Sequence, residues 1–357
     1  MCDFTNENLI MVYPHISALD DLVNEGAVGK SRHPIYPLWI YNYTPKALYK
    51  YGEHWPTALS EARGLVLDEN GHVIARAFPK FWNLNQADIK DQPFTITEKM
   101  DGSMILVFLY RGSMVVATRG SFMSAQAQIA RDIIAYKGGD YTPHRNATDV
   151  YELIDPGNRI VVHYGPMRDL VYLTTFDRTG KEHNCGPYMS RCGWPVAEKY
   201  QYSSILDAIG CKETQNREGF VVCWQDGTRH KIKFEDYKRL HRAVFGTSEW
   251  TVWDMLRNTM SYKIGVSVEY DQWCGLVASR LVNKRKDLNE WVLSEYARLS
   301  SLSGVSRKDF ALSVQGNPWK SALFLLLDGK LCEYEAWLWK RIEPSKDTLF
   351  RKETQYE

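Results

Sequence analysis

The stretch EKMDGSMILVFLYRGSMVVAT, residues 98–118, decides the fold. An apolar run from Ser103 to Tyr110 follows Gly102. The turn residues Arg111, Gly112 and Ser113 come next, and a second run spans Met114 to Thr118. Apolar, β-branched and aromatic residues on both sides of a glycine turn read as an antiparallel hairpin. The pattern recurs in both directions. Residues 64–68 and 72–78 flank Glu69-Asn70-Gly71, and residues 220–224 and 228–234 flank Gln225-Asp226-Gly227. A helix is expected at 124–136, where Ala127, Ile129, Ala130, Ile133 and Ile134 fall near helical spacing. Past about residue 240 the strand signals fade, and helices are expected at 250–260, 273–282, 287–299 and 319–339. In the third, Leu288, Trp291, Val292, Tyr296 and Leu299 make one apolar stripe. The expected class is α+β, with an antiparallel-sheet domain over 1–242 and an all-helical C-terminal domain over 243–357.

A chain of 357 residues is long enough for about two such domains. Its formal net charge of +1 gives no global cationic field, so any polynucleotide site must be a local patch. Candidates beyond the sheets are Lys284, Arg285, Lys286, Arg307, Lys308, Lys340 and Arg341, although a solvated helical face is the simpler reading of each one taken singly. The tryptophans of this region read as core, because helical spacing accounts for several. The seven cysteines are scattered without a CxxC pair, which reads as structural or free thiols and no zinc site. Reduced thiols and an N-terminus without a signal-peptide pattern lead to the expectation of a cytoplasmic protein. No apolar run reaches the ~20 residues of a membrane span, so no membrane partner is expected.

Lys99 is the candidate nucleophile. A lysine attacks only as the free amine, and a desolvated pocket or neighbouring cations would lower its pKa. Gly102 would let a phosphate or base approach the backbone closely. Read alone, Lys99-Met100-Asp101-Gly102 is as easily a surface lysine before a turn. Its company changes this. Glu152 sits in the strand-like run Tyr151-Glu152-Leu153-Ile154, and Glu218 sits at the start of another. Lys231 and Lys233, two apart in a strand, share one face. Lysines around carboxylates suit a polyphosphate with Mg²⁺, or Mn²⁺, held by Asp101, Glu152 and Glu218.

In this order the residues resemble the covalent nucleotidyltransferases, and most closely the RNA ligase 1 family of the T-even phages, which repair tRNA. Supporting stretches are Tyr41-Asn42-Tyr43, Glu61-Ala62-Arg63-Gly64, the basic-aromatic run at 76–85 and Pro156-Gly157-Asn158-Arg159. The resemblance covers about Tyr41 to Tyr237. It implies an adenylyltransferase domain and an ATP-dependent ligase that joins 5′-phosphate and 3′-hydroxyl RNA ends through lysyl-AMP. It implies Lys99, Lys231, Lys233 and Glu218 as the catalytic set. Tyr41, Arg63, Lys80, Trp82 and Arg119 would lie along the phosphates. Backbone groups near Glu98 and walls from Tyr172 and Val221 would hold adenine, with Glu152 also at the nucleotide. Trp82 stands where the family has phenylalanine, Tyr172 where it has leucine, and Arg119 where it has lysine, which keeps the charge but not the geometry. The partners implied are RNA ends, tRNA among them, and an end-healing kinase or phosphatase, with the chain itself monomeric. Two other readings stay open: another lysyl-nucleotidyltransferase of the DNA ligase or capping type, and a non-catalytic RNA-binding protein that keeps the fold.

Overall fold

The computed structural model describes residues 11–137, 141–263, 268–302 and 306–350. The N-terminal segment judged above for a signal peptide, with Cys2, lies outside these residues. The chain divides into two compact units between Arg239 and Leu240.

The first unit is built from three sheets. Strands β1 (Val28–Arg32), β2 (Leu38–Tyr43), β3 (Arg63–Asp68) and β4 (Val73–Ala75) pair in sequence order as an antiparallel sheet. The chain then lays down β5 (Trp82–Asn83) and β6 (Phe94–Lys99). It crosses to a second sheet for β7 (Ser103–Tyr110), β8 (Ser113–Thr118), β9 (Ala147–Ile154), β10 (Asp169–Asp177) and β11 (Glu182–His183). It returns for β12 (Lys199–Tyr200), β13 (Gly219–Trp224) and β14 (Arg229–Lys233). The second sheet runs β11-β10-β9-β7-β8, and the third runs β12-β6-β13-β14-β5.

The apolar run that opened the sequence reading is unbroken because β7 is covered on both faces. Leu106 and Phe108 pack with Leu38, Ile40 and Val66 of the first sheet. Ile105 and Val107 pack on the other side with Ala130 and Ile133 of the helix Ala125–Lys137. Burial on both faces removes the polar alternation that a half-exposed strand would show. The third sheet buries Ile96, Phe220, Val222 and Trp224 against the short helix Ile205–Ile209. Its opposite face carries the lysines.

The second unit is helical. Its main core joins Val292, Leu299, Phe310, Val314, Leu323 and Leu338. The two helices expected at 273–282 and 287–299 are one, Val268–Leu302, because the basic run between them contains no glycine or proline to break it. The single helix expected at 319–339 is two, Lys320–Leu327 and Leu331–Arg341, divided at Gly329 with φ +69°. Trp253 is fully buried as expected, but Trp291 is exposed. Of the candidate RNA-binding cations, Arg285 pairs with Glu335, Lys286 with Glu290, Arg307 with Asp328 and Lys340 with Glu343, which favours the solvated-face reading. Among the described residues no helix is long and apolar enough to cross a membrane. Cys192, Cys211, Cys223, Cys274 and Cys332 are free thiols.

Candidate active site

Lys99 ends β6, and its neighbour across the ladder is Gly219 of β13, which in turn pairs with Lys233 of β14. Both lysines therefore flank a residue without a side chain. Gly219 has φ +149°, and a Cβ there would stand 1.8 Å from the Ile232 carbonyl oxygen, so only glycine fits. The buried carboxylate of Glu218 sits between the two amines, with Oε2 2.8 Å from Lys99 Nζ and Oε1 3.2 Å from Lys233 Nζ.

The loop from Lys99 to β7 crosses between two sheets and is tied down on both sides. A Cβ on Gly102 would come within 2.2 Å of the Leu153 carbonyl oxygen. The group that approaches Gly102 is thus the β9 backbone, not the phosphate or base expected from the sequence. The Gly102 amide donates to Glu152 Oε1 at 3.1 Å. Asp101 accepts from the amides of Val161 and Val162 at 2.8 and 2.7 Å and from the Tyr237 hydroxyl at 2.7 Å. Both its oxygens are committed, so Asp101 anchors the loop instead of completing a three-carboxylate metal set. Among the described residues no three acidic, histidine or cysteine side chains come together to hold a metal. Glu152, with one oxygen on the Gly102 amide, is the carboxylate more open to a hard cation; Glu218, whose two oxygens meet Lys99 and Lys233, could join it only by giving up a lysine contact.

Beside the lysine pair lies a group of cations without a carboxylate partner among the described residues: Arg63, Lys80, Arg119 and Lys231. Tyr43 is the common neighbour of Arg63, Lys80 and Arg119. Its hydroxyl accepts from Arg119 Nη1 at 2.8 Å and from Lys80 Nζ at 3.2 Å. Burial pushes this phenol up, but Arg119, Arg63 and Lys80 outweigh it and hold the pKa below the usual tyrosine value.

The charges differ from expectation in one important respect. Burial opposes the Lys99 ammonium, yet Glu218, Glu152 and Asp101 together overcome it and raise its pKa above that of an ordinary lysine. The expected depression falls on Lys231 instead, pushed down to about 7 by burial and by Lys80, Lys233, Lys99 and Arg63. Glu152 is pushed up to about 7 by burial, with Lys99 opposing and Glu218 reinforcing the rise.

Three further expectations are corrected. Tyr41 is buried with Ala27, Ala47 and Leu65 in the core that also holds Tyr43, its ring under Lys30, and it is Tyr43 whose hydroxyl meets Arg119 and Lys80. The two tyrosines lie two residues apart on β2, whose pairing with β1 is regular here; the extra residue of the β2–β3 register shift is Gly64 of β3. Tyr172 faces the Tyr151 side of its sheet, in a core with Trp194, while Val171 is the residue opposite Glu152. The Glu98 carboxylate points to the back of the third sheet, where Arg217 Nε binds Oε1 at 3.2 Å under the rings of Tyr200 and Phe220. The Glu98 amide is engaged as well, donating to the Glu198 carbonyl at 2.8 Å. Val221, directly opposite Lys231, does face the pocket, and Trp82 lies against Lys80. Tyr43, Trp55, Tyr164, Arg217 and Tyr237 escaped the sequence reading. Tyr164, whose hydroxyl accepts from the Asp101 amide at 2.8 Å, follows the quoted 156–159 stretch by only a few residues.

A half-buried lysine held by a buried carboxylate, alongside cations lacking an ion-pair partner among the described residues, is an arrangement suited to a polyphosphate. Residues 61–238 match the family model described as RNA ligase. A candidate bifunctional polynucleotide kinase/RNA ligase of Autographa californica nuclear polyhedrosis virus is 23% identical over 330 residues, covering 82% of this chain and 46% of the relative. A candidate RNA ligase of Thermovibrio ammonificans (strain DSM 15698 / JCM 12110 / HB-1) is 25% identical over 203 residues, covering 51% of this chain and 53% of the relative. The chain thus spans about half the length of the curated relatives it matches. An archaeal ATP-dependent RNA ligase structure aligns with TM-score 0.44 and 15% identity, covering 74% of this chain and 75% of that one.

Proposed function

We propose that this protein is an ATP-dependent RNA ligase that joins 5′-phosphate and 3′-hydroxyl RNA ends through a lysyl-AMP on Lys99. The observation that carries the reading is the placement of Lys99 Nζ 2.8 Å from Glu218 Oε2, with Lys233 on the other oxygen and the unpaired cations beside them. The match of residues 61–238 to the RNA ligase family model supports it.

In the first step the Lys99 amine attacks the α-phosphorus of ATP. A P–N bond forms, the bond to the bridging oxygen of the β-phosphate breaks, and pyrophosphate leaves. Lys99 must first lose a proton, and the three carboxylates that raise its pKa oppose this. A divalent cation held by Glu152 and Glu218, Mg²⁺ or alternatively Mn²⁺, would offset that negative charge and polarise the phosphoryl oxygens. Lys231 and Lys233 stabilise charge growing on the α-phosphate. Arg63, Lys80 and Arg119 hold the outer phosphates, arginine through its planar fork. In the second step a 5′-phosphate oxygen of RNA attacks the AMP phosphorus and the P–N bond breaks. In the third, a 3′-hydroxyl attacks the activated 5′-phosphate, its proton leaves, and AMP departs.

The finer assignments belong to the same proposal. The RNA is a broken tRNA, the chain works as a monomer beside an end-healing kinase or phosphatase, and it acts in the cytoplasm. The test is incubation with labelled ATP and divalent metal, followed by a sealing panel of broken tRNAs, unstructured RNA and nicked duplex DNA. A covalent AMP adduct absent from Lys99→Ala, with sealing of single-stranded RNA, supports the proposal. Labelling by GTP alone, or sealing of nicked DNA alone, overturns it.

A further inference from the structure

Lys80 is held in an unusual way for a buried-site lysine. Its ammonium lies 4.9 Å from the ring centroid of Tyr43, 5.7 Å from that of Trp55 and 5.0 Å from that of Trp82. The three rings brace one another. Tyr43 and Trp55 meet edge-on with centroids 4.9 Å apart, and Trp55 and Trp82 meet at 90° with centroids 5.4 Å apart. The Trp55 indole is fixed in turn by its N–H, which donates to the Gly52 carbonyl at 2.8 Å. These walls come from three places in the chain: the end of β2, the loop before the helix Thr57–Glu61, and β5.

Two chemistries can hold a lysine in place. A carboxylate neutralises it and must be displaced before an anion binds. The negative faces of aromatic rings attract it without occupying its hydrogen-bond donors. Among the described residues the ammonium makes one hydrogen bond, to Tyr43 at 3.2 Å, and it shares that phenol with Arg119, whose guanidinium carbon is 4.9 Å from the ring centroid. We propose that Tyr43, Trp55 and Trp82 form an aromatic cage that stands in for a counterion at Lys80, and that Trp55, the outer wall, is a positioning residue for the β- and γ-phosphates of the nucleotide. This rests on the ligase reading for the identity of the ligand. The cage aims the ammonium at an anion that arrives with ATP and leaves as pyrophosphate. No ion pair has to break on binding or re-form on release.

The test uses inorganic pyrophosphate as the probe, titrated into the full chain by calorimetry, so no turnover is needed. Trp55→Phe keeps a ring face, and Trp55→Leu keeps apolar bulk without one. Trp55→Leu is expected to weaken pyrophosphate binding about tenfold, the order of one partly desolvated cation–π contact. Trp55→Phe is expected to stay within about threefold of wild type, phenylalanine being the weaker ring for a cation. AMP affinity, which does not involve the outer phosphates, is expected to be unchanged in both. Equal weakening in the two variants, or none, overturns the cage. If Trp55→Leu does not fold, loss of more than about tenfold in Trp55→Phe overturns it equally. Failure of ATP to label Lys99 in the wild-type chain would sink the ligase reading but leave the pyrophosphate comparison to decide the cage.

Discussion

Lys99 Nζ donates to Glu218 Oε2 across 2.8 Å, and this pair keeps the proposed nucleophile protonated. The carboxylate that orients the amine also withholds its lone pair. Removing the charge at Glu218 should therefore ease deprotonation while loosening aim. In Glu218→Gln the reactivity of Lys99 toward an amine-acylating reagent, followed by peptide mass spectrometry across pH 7–11, is expected to rise at lower pH than in wild type. Adenylylation by ATP is expected to fall by more than tenfold in the same variant. An unchanged or upward-shifted titration would show that Glu218 does not control Lys99.

Lys231 carries the opposite perturbation. Its pKa is pushed down to about 7 in the folded protein, against about 10.4 for a free lysine. Between those values the unfolded chain holds a proton that the folded chain lacks. The site's contribution to stability therefore rises as pH goes from 7 towards 10. Glu152, pushed up to about 7, acts on the other side: the folded chain holds the extra proton between about 4.3 and 7, and its contribution is lost as pH rises through that window. The ligand-free pocket should thus be least favourable near pH 7. A bound polyphosphate favours the charged lysine, so its binding should take up a proton at pH 8. Calorimetry in two buffers of different ionisation enthalpy checks this. The uptake is expected to vanish in Lys231→Gln, and its persistence would assign the proton elsewhere.

Much of this site could be read before any coordinates, and the reason is strand geometry. Hairpins fix register locally, so Lys231 and Lys233 had to share a face, and the 225–227 turn brought Glu218 close to them. The same period of two places Glu98 behind the sheet once Lys99 is put in front of it, a consequence the motif match overlooked. Tyr172 needed more. Its orientation follows from the β9–β10 pairing, which puts Val171 opposite Glu152, and no local pattern specifies that register. Tyr43, at the end of β2, and Trp55, in a loop, reach the site through tertiary packing, which leaves no periodic signal in the sequence.

The corrected adenine wall makes a separable prediction. Tyr172→Phe loses the hydroxyl contacts to Thr175 Oγ1 at 2.8 Å and from the Cys185 amide at 3.2 Å. It should cost about 1–2 kcal/mol in stability and leave the KM for ATP unchanged. Val171→Phe, on the Glu152 face, is expected to raise that KM severalfold. The two effects are read by denaturant unfolding and by initial rates of lysyl-AMP formation. A raised KM in Tyr172→Phe, with none in Val171→Phe, would restore the original assignment.

Arg217 and Glu98 form a second ion pair directly behind the first. Arg217 precedes Glu218, and Glu98 precedes Lys99, so one pair locks on the back of the sheet the strands whose next residues meet on the front. The guanidinium is also covered by Tyr200 and Phe220, with ring centroids 4.9 and 5.1 Å away, and the pair is mostly buried. Removing one partner leaves the other charge in a poorly solvated place, so Arg217→Ala should cost about 3 kcal/mol in stability. Glu98→Gln keeps one acceptor for the guanidinium and should cost less. Since neither side chain reaches the pocket, the KM for ATP should stay near wild type while the rate of lysyl-AMP formation falls with the precision of the Lys99–Glu218 contact. A reversed pair, Glu98→Arg with Arg217→Glu, should recover part of that rate. Recovery of stability without recovery of rate would confine the pair to holding the fold.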